Sequence, residues 1–332
     1  MAEDKNLTIS DIARELGVSK TTVSRAISGK GRIGSKTREK VLQYIEAHNY
    51  RPNVIAKGLA QSRTYNIGLV IPGDYNIIEL PFFQNCMLGI SKVASLMDYD
   101  VLISIVTAND ISHLQRVVVN HKVDGIILTR TLVNDVAVAY LKEAGIPFVT
   151  IGSLEDDSVV QIDNDHRSAC REMTEKLLDQ GIEKIALLGG NRNYIVTANR
   201  LQGFLEAYEK SGKEPVREHI YLDVGDAKQV EHIVKKIVKD GITCIVSMDD
   251  YLCSCVWSVL HRKKAETSGQ IKLVSFYDSS FLENNIPSIR FNIEELGETT
   301  CKTLLNMIEG EVVQPQSLLG YQIYMPGGKD AD

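Results

Sequence analysis

The 332-residue sequence has no run of about twenty consecutive apolar residues, the length that a membrane-spanning helix needs. Its first ten residues, MAEDKNLTIS, also lack the apolar stretch and the small-residue cleavage site of a secretory signal. With 44% hydrophobic and 24% charged residues, the composition is that of an ordinary globular protein with room for two or three domains. We therefore expect a cytoplasmic protein.

The sequence also has few of the patterns that mark metal sites and enzymes. Its six cysteines form no CxxC pair, and Cys253, Cys255 and His261 lack the spacing of a zinc finger, so we expect reduced, packed thiols. The glycine-rich segment LLGGNRN lacks the Lys-Ser/Thr of a P-loop and the three spaced glycines of a dinucleotide site. No nucleophile motif is recognisable. These absences favour a binding protein over an enzyme and predict neither a metal nor a cofactor.

Charge is divided unevenly along the chain, although the net charge is only −6. Residues 1–64 carry 12 Lys and Arg against 6 Asp and Glu, whereas residues 65–332 carry 25 against 37. A small basic segment is typical of a domain that binds the phosphates of nucleic acid, although a solvated basic surface would give the same balance.

The basic segment contains a helix, a turn and a second helix. Thr8 and Asp11 resemble a capping box at the start of a short helix with apolar residues at helical spacing. Gly17 then supplies a tight turn, and Ser19 is placed to cap a second helix that ends at Ile27. A third amphipathic helix is expected from Ser35 and should end before Pro52; the residues expected to be buried in it are Val41, Leu42 and Ile45.

The second of these helices has hydrogen-bonding groups and cations on its outward face, and no acid. Those residues are Lys20, Thr21, Thr22, Ser24 and Arg25. Any small three-helix bundle would show the same periodicity, but an acid-free polar face suits phosphates and base edges. The sequence therefore predicts a helix-turn-helix whose second helix enters the major groove.

Residues 53–64, NVIAKGLAQSRT, raise a question of stability. They look like a short helix with Asn53 as N-cap and with Ala56, Leu59 and Ala60 on one side, yet they have no obvious core of their own. An isolated helix of this length is marginal in water, because nucleation costs more than two turns of hydrogen bonds return. Something outside the segment must stabilise it.

From Ile67 the apolar pattern changes to that of an α/β fold. Short β-branched runs alternate with helical stretches, first in NIGLVIP, DVLISIV, DGIILT and PFVTI and again in KIALLGG, CIVSM and KLVSF. This alternation is typical of parallel sheets covered by helices on both faces, and its repetition predicts two similar doubly wound lobes with a cleft between them. A final strand and helix, SIRFNIEELGETTCKTLLNMIEG, should return to the first lobe and complete it.

Open α/β sheets bind ligands beyond the carboxyl ends of their strands, so the residues just after each run are the candidates for a ligand site. They are Phe82, Phe83, Asp163, Asn164, Tyr194, Arg200, Asp249 and Asp278. Carboxylates and a guanidinium group bind vicinal hydroxyls while an aromatic ring covers the apolar side of a sugar, so a small sugar is the natural ligand. For any one of these positions, an aspartate that only caps a helix is the alternative.

The segments TISDIARELGVSKTTVSRAIS and TREKVLQYIEAHNYRPNVIAKGLA, together with the two-lobe body, resemble the lactose-repressor family of transcription regulators along nearly the whole chain. The resemblance implies an all-α helix-turn-helix head over residues 1–52, a hinge helix and linker over 53–64, and an effector-binding and dimerisation body over 65–332. The body would be like the type I periplasmic binding proteins, with one lobe made of about 65–163 plus 293–326 and the other of 164–292.

The same resemblance implies roles in DNA binding for residues of the head and hinge. Lys20 and Thr21 would read base edges with support from Ser24 and Arg25, and Thr8, Ser19 and Thr22 would contact phosphates. In the hinge, the DNA-binding residues would be Asn53, Ala56, Lys57 and Leu59. Leu59 would wedge between central base pairs in the minor groove, where two copies of the hinge meet and become ordered.

The resemblance also implies a function: a homodimeric repressor that leaves palindromic operator DNA when a small sugar binds. The segments LPFF, VQIDNDH, LLGGNRNYIVTANRLQGF and SFYDSS look most similar to maltose-operon repressors, which suggests maltose or a malto-oligosaccharide. Arg200 and Asp249 match ligand positions of the family, but Met248 and Tyr277 depart from its usual pattern. A catabolite-control regulator that uses a phosphorylated carrier protein as corepressor is the alternative, although the acidic body lacks an obvious basic patch for that partner.

Overall fold

A computed structural model describes residues 7–29, 31–48, 50, 58, 61–73, 81–262, 271–278 and 285–326. The chain divides into two compact units, 1–64 and 65–332, which we call the head and the body. Most of the hinge segment, including Asn53, Ala56, Lys57 and Leu59, lies outside the described residues.

Over residues 7–48 the described part of the head forms the helices α1 (Ile9–Leu16), α2 (Lys20–Ser28) and α3 (Ser35–Ala47), as the periodicity predicted. Their small core consists of Ile12, Ala13, Val23, Ala26 and Val41. The prediction for α3 was wrong at Leu42, which is 42% exposed. Leu42 follows the buried Val41 by one residue, and a step of 100° around a helix turns its side chain away from so small a core.

The body contains two six-stranded sheets, one in each lobe. The first lobe contributes β1 (Asn66–Pro72), α4 (Pro81–Leu96), β2 (Asp100–Val106), α5 (Ser112–Val119), β3 (Gly125–Leu128), α6 (Val136–Ala144), β4 (Phe148–Ile151) and β5 (Val160–Asn164). The second contributes α7 (His166–Asp179), β6 (Ile185–Leu188), α8 (Ile195–Lys210), β7 (Ile220–Tyr221), α9 (Ala227–Lys239), β8 (Cys244–Ser247), α10 (Asp250–Arg262), β9 (Lys272–Ser275) and β10 (Ser288–Phe291). The described chain ends with α11 (Ile293–Ile308), β11 (Gln316–Leu319) and β12 (Tyr321–Tyr324).

The first sheet has the strand order β11-β5-β4-β3-β1-β2, and all of its pairs are parallel. Helices α4 and α11 cover one face, where they bury β1 residues such as Ile67 and Leu69. Helices α5 and α6 cover the other face against Val70 and Ile126. A central strand buried on both faces explains why NIGLVIP reads as one continuous apolar run.

The second sheet has the order β12-β10-β9-β8-β6-β7 and the same layered build, with α7 and α8 on one face and α9 and α10 on the other. Its edge strand β12 runs antiparallel to β10, and Ile323 lies opposite Ile289. The prediction that 293–326 belongs wholly to the first lobe was therefore wrong for the last strand. Gly320 alone separates β11 from β12, so one extended segment pairs with both sheets and crosses between the lobes a third time.

In each lobe, a glycine lets two helices approach closely. A β-carbon at Gly89 of α4 would overlap the backbone of α11 at Glu294, and one at Gly203 of α8 would overlap the backbone of α7 at Arg167. The helix that follows the crossing into each lobe therefore packs closely against a neighbouring helix of that lobe. Helix α8, which carries Arg200, is fixed in this way against α7.

Within the residues that the structure describes, no helix is both long enough and apolar enough to cross a membrane. The same part of the chain contains no cluster of three or more His, Cys, Asp or Glu side chains able to hold a metal ion.

Candidate functional site

In the head, side-chain hydrogen bonds of the N-cap residues fix where α1 and α2 begin. The Thr8 hydroxyl accepts from the Asp11 amide (3.3 Å) and donates to the Asp11 carboxylate (2.6 Å), which also accepts from the Thr8 amide. Gly17 ends α1 with a φ of +65°, and the Ser19 hydroxyl accepts from the Thr22 amide (3.1 Å) at the start of α2. Both predicted caps and the glycine turn are confirmed.

Helix α2 presents a polar, cationic surface to solvent. Its exposed polar and basic residues are Lys20, Thr21, Ser24 and Arg25. Val23 and Ala26 are fully buried on the opposite side, and this fixes which face of the helix is outward. The arrangement offers an ammonium group, a guanidinium group and two hydroxyls, with no carboxylate in the helix, and these groups can donate to phosphates and base edges.

The three predicted phosphate contacts are placed differently from these four. Thr22 is half-buried, with its hydroxyl 2.8 Å from that of Ser19, so both side chains take part in the cap of α2. The hydroxyl and amide of Thr8 are engaged with Asp11. A phosphate at Thr8 would therefore compete with the Asp11 carboxylate.

In the body, the site forms around Arg200, which lies in the second turn of α8 and is 8% exposed. One terminal nitrogen, Nη1, donates to the carbonyl oxygen of Met248 at 2.5 Å. The Nε–H is buried and has no hydrogen-bond partner in the described parts of the chain. A buried guanidinium group with an unused donor can bind an oxygen atom of a ligand.

Two carboxylates predicted from the strand ends lie close enough to Arg200 to feel its charge. Burial raises the pKa of Asp163 to about 6, against the hydrogen bonds from Ser153 and the charge of Arg200. Burial likewise raises the pKa of Asp249 to about 6, and Arg200 again opposes the shift. Asp249 also caps α10 by accepting from the Leu252 amide (2.8 Å), so here the ligand and the capping interpretations both apply.

His166 lies beside Asp163 and is 4% exposed, with Nε2 3.6 Å from the Asp163 Oδ1. Burial lowers the pKa of His166 well below its ordinary value, and the positive charge of Arg200 lowers it further. The ring is therefore neutral at physiological pH. Arg200 is thus the cation of this group of residues.

Next to Asp163 and Asp249 in the sequence, and on Arg200 itself, several buried polar atoms have no hydrogen-bond partner among the residues that the structure describes. They are Asn164 Oδ1 and Nδ2, His166 Nδ1, Arg200 Nε, Ser247 Oγ and Asp250 Oδ2. We call Asp163, Asn164, His166, Arg200, Ser247, Asp249 and Asp250 the Arg200 cluster. Buried polar groups in folded proteins are almost always hydrogen-bonded, so the unused donors and acceptors of the cluster are suited to a small polar ligand or to water.

Aromatic rings lie next to the cluster and connect the two lobes. Tyr277, two residues after the end of β9, is 5% exposed, and the Arg200 guanidinium lies 5.8 Å from its ring centroid. Its ring is 6.3 Å from that of Phe82 in the first lobe and 6.3 Å from that of Phe291 in the second. Phe82 in turn packs edge-on against Phe83 at 5.2 Å. The predicted pair Phe82 and Phe83 is thus joined to the Arg200 side of the cleft through Tyr277.

Two of the predicted site residues are engaged elsewhere. Asp278 accepts hydrogen bonds from Ser288 (2.9 Å) and from Arg290 (2.7 Å) of β10. Tyr194 precedes α8 without a side-chain capping bond and forms an antiparallel bridge with Leu132 of the first lobe, while its hydroxyl accepts from Arg130 at 3.4 Å. Asp278 therefore stabilises the second lobe, and Tyr194 connects the lobes rather than joining the Arg200 cluster.

Four residues of this region are not among those predicted from the sequence: His166, Ser247, Asp250 and Tyr277. Tyr277 could have been found, because it was one of the two departures from the usual family pattern. Asp250 could have been found as the second acid after CIVSM. Nothing in the sequence distinguished the buried His166 and Ser247 from ordinary helix-start and strand-end residues.

Two known family models match this chain, one over the head and one over the body. Residues 8–53 match the family described as bacterial regulatory proteins of the lacI family, and residues 64–322 match the periplasmic binding proteins and sugar binding domain of the LacI family. The chain belongs to the LacI family of transcription regulators. The fold predicted from the sequence, a helix-turn-helix head with a two-lobe α/β body, is confirmed.

Relatives of this LacI-family protein cover both units. The HTH-type transcriptional regulator MalR of Staphylococcus xylosus is 30% identical over 318 residues, which is 92% of each chain. Catabolite control protein A of Priestia megaterium is 34% identical over 225 residues, 67% of this chain and 66% of the relative. The lac repressor dimer bound to operator and the anti-inducer ONPF has the same fold, with a TM-score of 0.74, 23% identity and coverage of 96% and 98% of the two chains.

Proposed function

We propose that this LacI-family regulator is a cytoplasmic homodimer that represses a sugar-utilisation operon and leaves its operator when a small sugar, maltose or a malto-oligosaccharide, binds the Arg200 cluster. Its role is regulation rather than catalysis, and it needs no cofactor. The similarity to MalR supports the choice of a maltose-type sugar.

The unused polar atoms of the Arg200 cluster carry this proposal. Asn164 supplies an unpaired donor and an unpaired acceptor, Arg200 supplies a donor, and Asp250 supplies an acceptor. Each hydroxyl of a sugar both donates and accepts, so a polyhydroxylated ring can satisfy such a set. The buried Tyr277 and the half-buried Phe82 offer ring surface for the apolar C–H side of the sugar.

The exposed face of α2 supports the DNA-binding half of the proposal. Lys20 and Thr21 at its start would contact base edges with support from Ser24 and Arg25, and Ser19 and Thr22 would approach phosphates at its N-terminus. A head this small reads only a few base pairs. Two heads related by the symmetry of a dimer would read a palindrome, which is why we propose a homodimer.

The role of the hinge stays a prediction. We expect Leu59→Ala to weaken binding to operator far more than binding to random duplex, because the wedge would act only where two hinges meet on a deformable site. Fluorescence titrations with both duplexes at one salt concentration would test this. Equal losses on the two duplexes would show that Leu59 does not act as a wedge.

The function is tested by operator binding in the presence of sugars. Duplexes selected from a randomised pool would define the operator, and its affinity would then be measured with and without saturating maltose, maltotriose and glucose. We expect at least one of these sugars to weaken operator binding tenfold or more, because coupling energies of 1–3 kcal/mol are typical of allosteric proteins. If no sugar changes operator affinity, induction by a sugar is wrong.

The alternative regulation, by a phosphorylated carrier protein acting as corepressor, predicts the opposite sign in the same assay. A corepressor strengthens operator binding, and it would do so without any sugar. The first turn of α11 in the first lobe carries Glu294 and Glu295, and Glu298 follows one turn later; the neighbouring cation Lys92 is already paired with Glu294 (3.2 Å) and Glu298 (2.6 Å). Such a surface does not favour a phosphorylated partner.

A further inference from the structure

The charges of the Arg200 cluster do not balance. Asp163, Asp249 and Asp250 supply three carboxyl groups, whereas Arg200 supplies one positive charge and the His166 ring is neutral. Within the described parts of the chain, no ion pair joins any of the three aspartates to a lysine or an arginine. The cluster is therefore negative when its carboxyl groups are ionised.

Two of these three carboxyl groups are poorly shielded by water. Asp163 is 4% exposed and Asp250 is 6% exposed, and the carboxylate of Asp250 has an oxygen without a protein partner. Charges interact much more strongly in such surroundings than at a protein surface. A second negative group brought in by a ligand would meet this excess charge directly.

We infer that the Arg200 cluster selects neutral hydroxylated effectors and rejects their phosphate esters. This inference rests on the proposed function and deepens it by naming the chemical class of the effector. Sugar hydroxyls donate hydrogen bonds to the carboxylates and accept them from the Arg200 Nε–H and the Asn164 amide. A phosphate group accepts hydrogen bonds but has at most one weakly held proton to donate, so it satisfies Arg200 while leaving the aspartates opposed by like charge.

Calorimetric titration of the full-length protein with matched pairs tests the inference. The pairs are maltose with maltose 6′-phosphate, and glucose with glucose 6-phosphate, at pH 7.5 and one ionic strength. We expect each ester to bind at least 100-fold more weakly than its parent sugar. An ester that binds within tenfold of its parent overturns the inference and leaves the proposed function standing. If neither sugars nor esters bind, the proposed function fails as well.

A pair of matched variants separates charge from size. Asp249 caps α10 and Asp226 caps α9, each by accepting from backbone amides of the first turn, and asparagine caps a helix about as well as aspartate. Asp249→Asn removes a negative charge from the cluster, whereas Asp226→Asn removes one from an exposed helix start. We expect Asp249→Asn to reduce the ratio of sugar affinity to ester affinity about tenfold. Asp226→Asn should leave this ratio unchanged.

The variants also decide what causes any rejection of the ester. Suppose that Asp249→Asn and a second cluster variant, Asp163→Asn, both bind the parent sugar and keep the full ratio of sugar affinity to ester affinity. In that case the ester is excluded by its size, and the inference is overturned. A neutral analogue of similar reach, 6′-azido-6′-deoxymaltose, should bind the unaltered protein within tenfold of maltose. Rejection of that analogue as strongly as of the phosphate would contradict the inference in the same way.

Discussion

Helix α2 of the head and the Arg200 cluster of the body both use cationic side chains, but in opposite surroundings. Lys20 and Arg25 stand exposed on a helix without a carboxylate. Arg200 is 8% exposed and is accompanied by Asp163, Asp249 and Asp250. The first arrangement leaves positive charge in water, and the second buries it within an excess of negative charge.

The difference between exposed and buried cations determines what each region can recognise. Exposed cations act through water over distances near the Debye length of about 8 Å, tolerate variation in partner geometry and suit a long polyanion. Buried groups act only on what enters the cleft, and each unused donor or acceptor must be met individually. This contrast fits the proposal that one chain combines a site for DNA in the head with a site for a small hydroxylated molecule in the body.

Salt concentration should separate the two regions most strongly. We expect operator affinity to fall by roughly a thousandfold or more between 50 and 200 mM salt, because two heads together would release many counterions from the duplex. The affinity for a neutral sugar should change less than about twofold, since no counterion is released from the cleft. Titrations of duplex and of sugar over the same salt series would check this. Parallel losses for both ligands would contradict the comparison.

Arg200→Ala should abolish sugar binding without weakening the head. We expect a loss of about 100-fold or more in sugar affinity, because the variant removes the cation and leaves buried carboxylates uncompensated. Operator affinity measured without sugar should stay within about threefold. Calorimetry and operator titration on one preparation would give both values.

Two further arginine variants test whether the loss of sugar affinity is specific to Arg200. Arg192→Ala removes an exposed guanidinium group that pairs with Asp223 outside the cluster, and it should leave sugar affinity nearly unchanged. Arg200→Lys keeps the charge but lacks the Nε–H donor, so we expect an intermediate loss of about tenfold. Equal effects of the Arg192 and Arg200 variants would show that the cluster is not the sugar site.

The buried carboxyl groups of the body should also give stability an unusual dependence on pH. The pKa of Asp163 is raised to about 6 in the folded protein, so folding is favoured when this group is protonated. Its contribution is fully favourable below pH 4 and falls as the pH rises towards 6, by about 1.4 kcal/mol per pH unit. Above pH 6 the contribution is constant.

The comparison of the unaltered protein with Asp163→Asn isolates this contribution. Urea unfolding followed through Trp257, the single tryptophan, reports on the body. Between pH 4.5 and 6.5 the unaltered protein should lose about 2 kcal/mol relative to the variant. A constant difference across this range would mean that Asp163 is not held in the low-dielectric surroundings that the cluster requires.

Much of the fold could be predicted because its signals are local. Runs such as NIGLVIP and CIVSM are buried on both faces of their sheets, and Thr8, Gly17 and Ser19 mark helix boundaries through hydrogen bonds within a few residues. The strand β12 was missed because edge strands bury few residues and its partner β10 is distant in sequence. Which lobe a single edge strand joins depends on the whole chain, and no local pattern encodes it.

The same limit applies to the site. Strand-end positions pointed to Asp163, Arg200 and Asp249 as candidates, because parallel strands bring their carboxyl ends to one edge, and in the structure the charge of Arg200 acts on both carboxyl groups. Asp278 also follows the end of a strand, but its carboxylate accepts a hydrogen bond from Arg290. This pairing depends on a cation of the next strand. The burial of Tyr277 between Phe82 and Phe291 required both lobes to be in place.

Reciprocity is the most direct test of whether sugar at the Arg200 cluster and operator at the heads compete through one conformational equilibrium. The sugar that binds best would be titrated calorimetrically into the free protein and into its complex with operator. We expect operator to weaken sugar binding by the same factor by which the sugar weakens operator binding. Identical sugar affinities for the free and the operator-bound protein would contradict it.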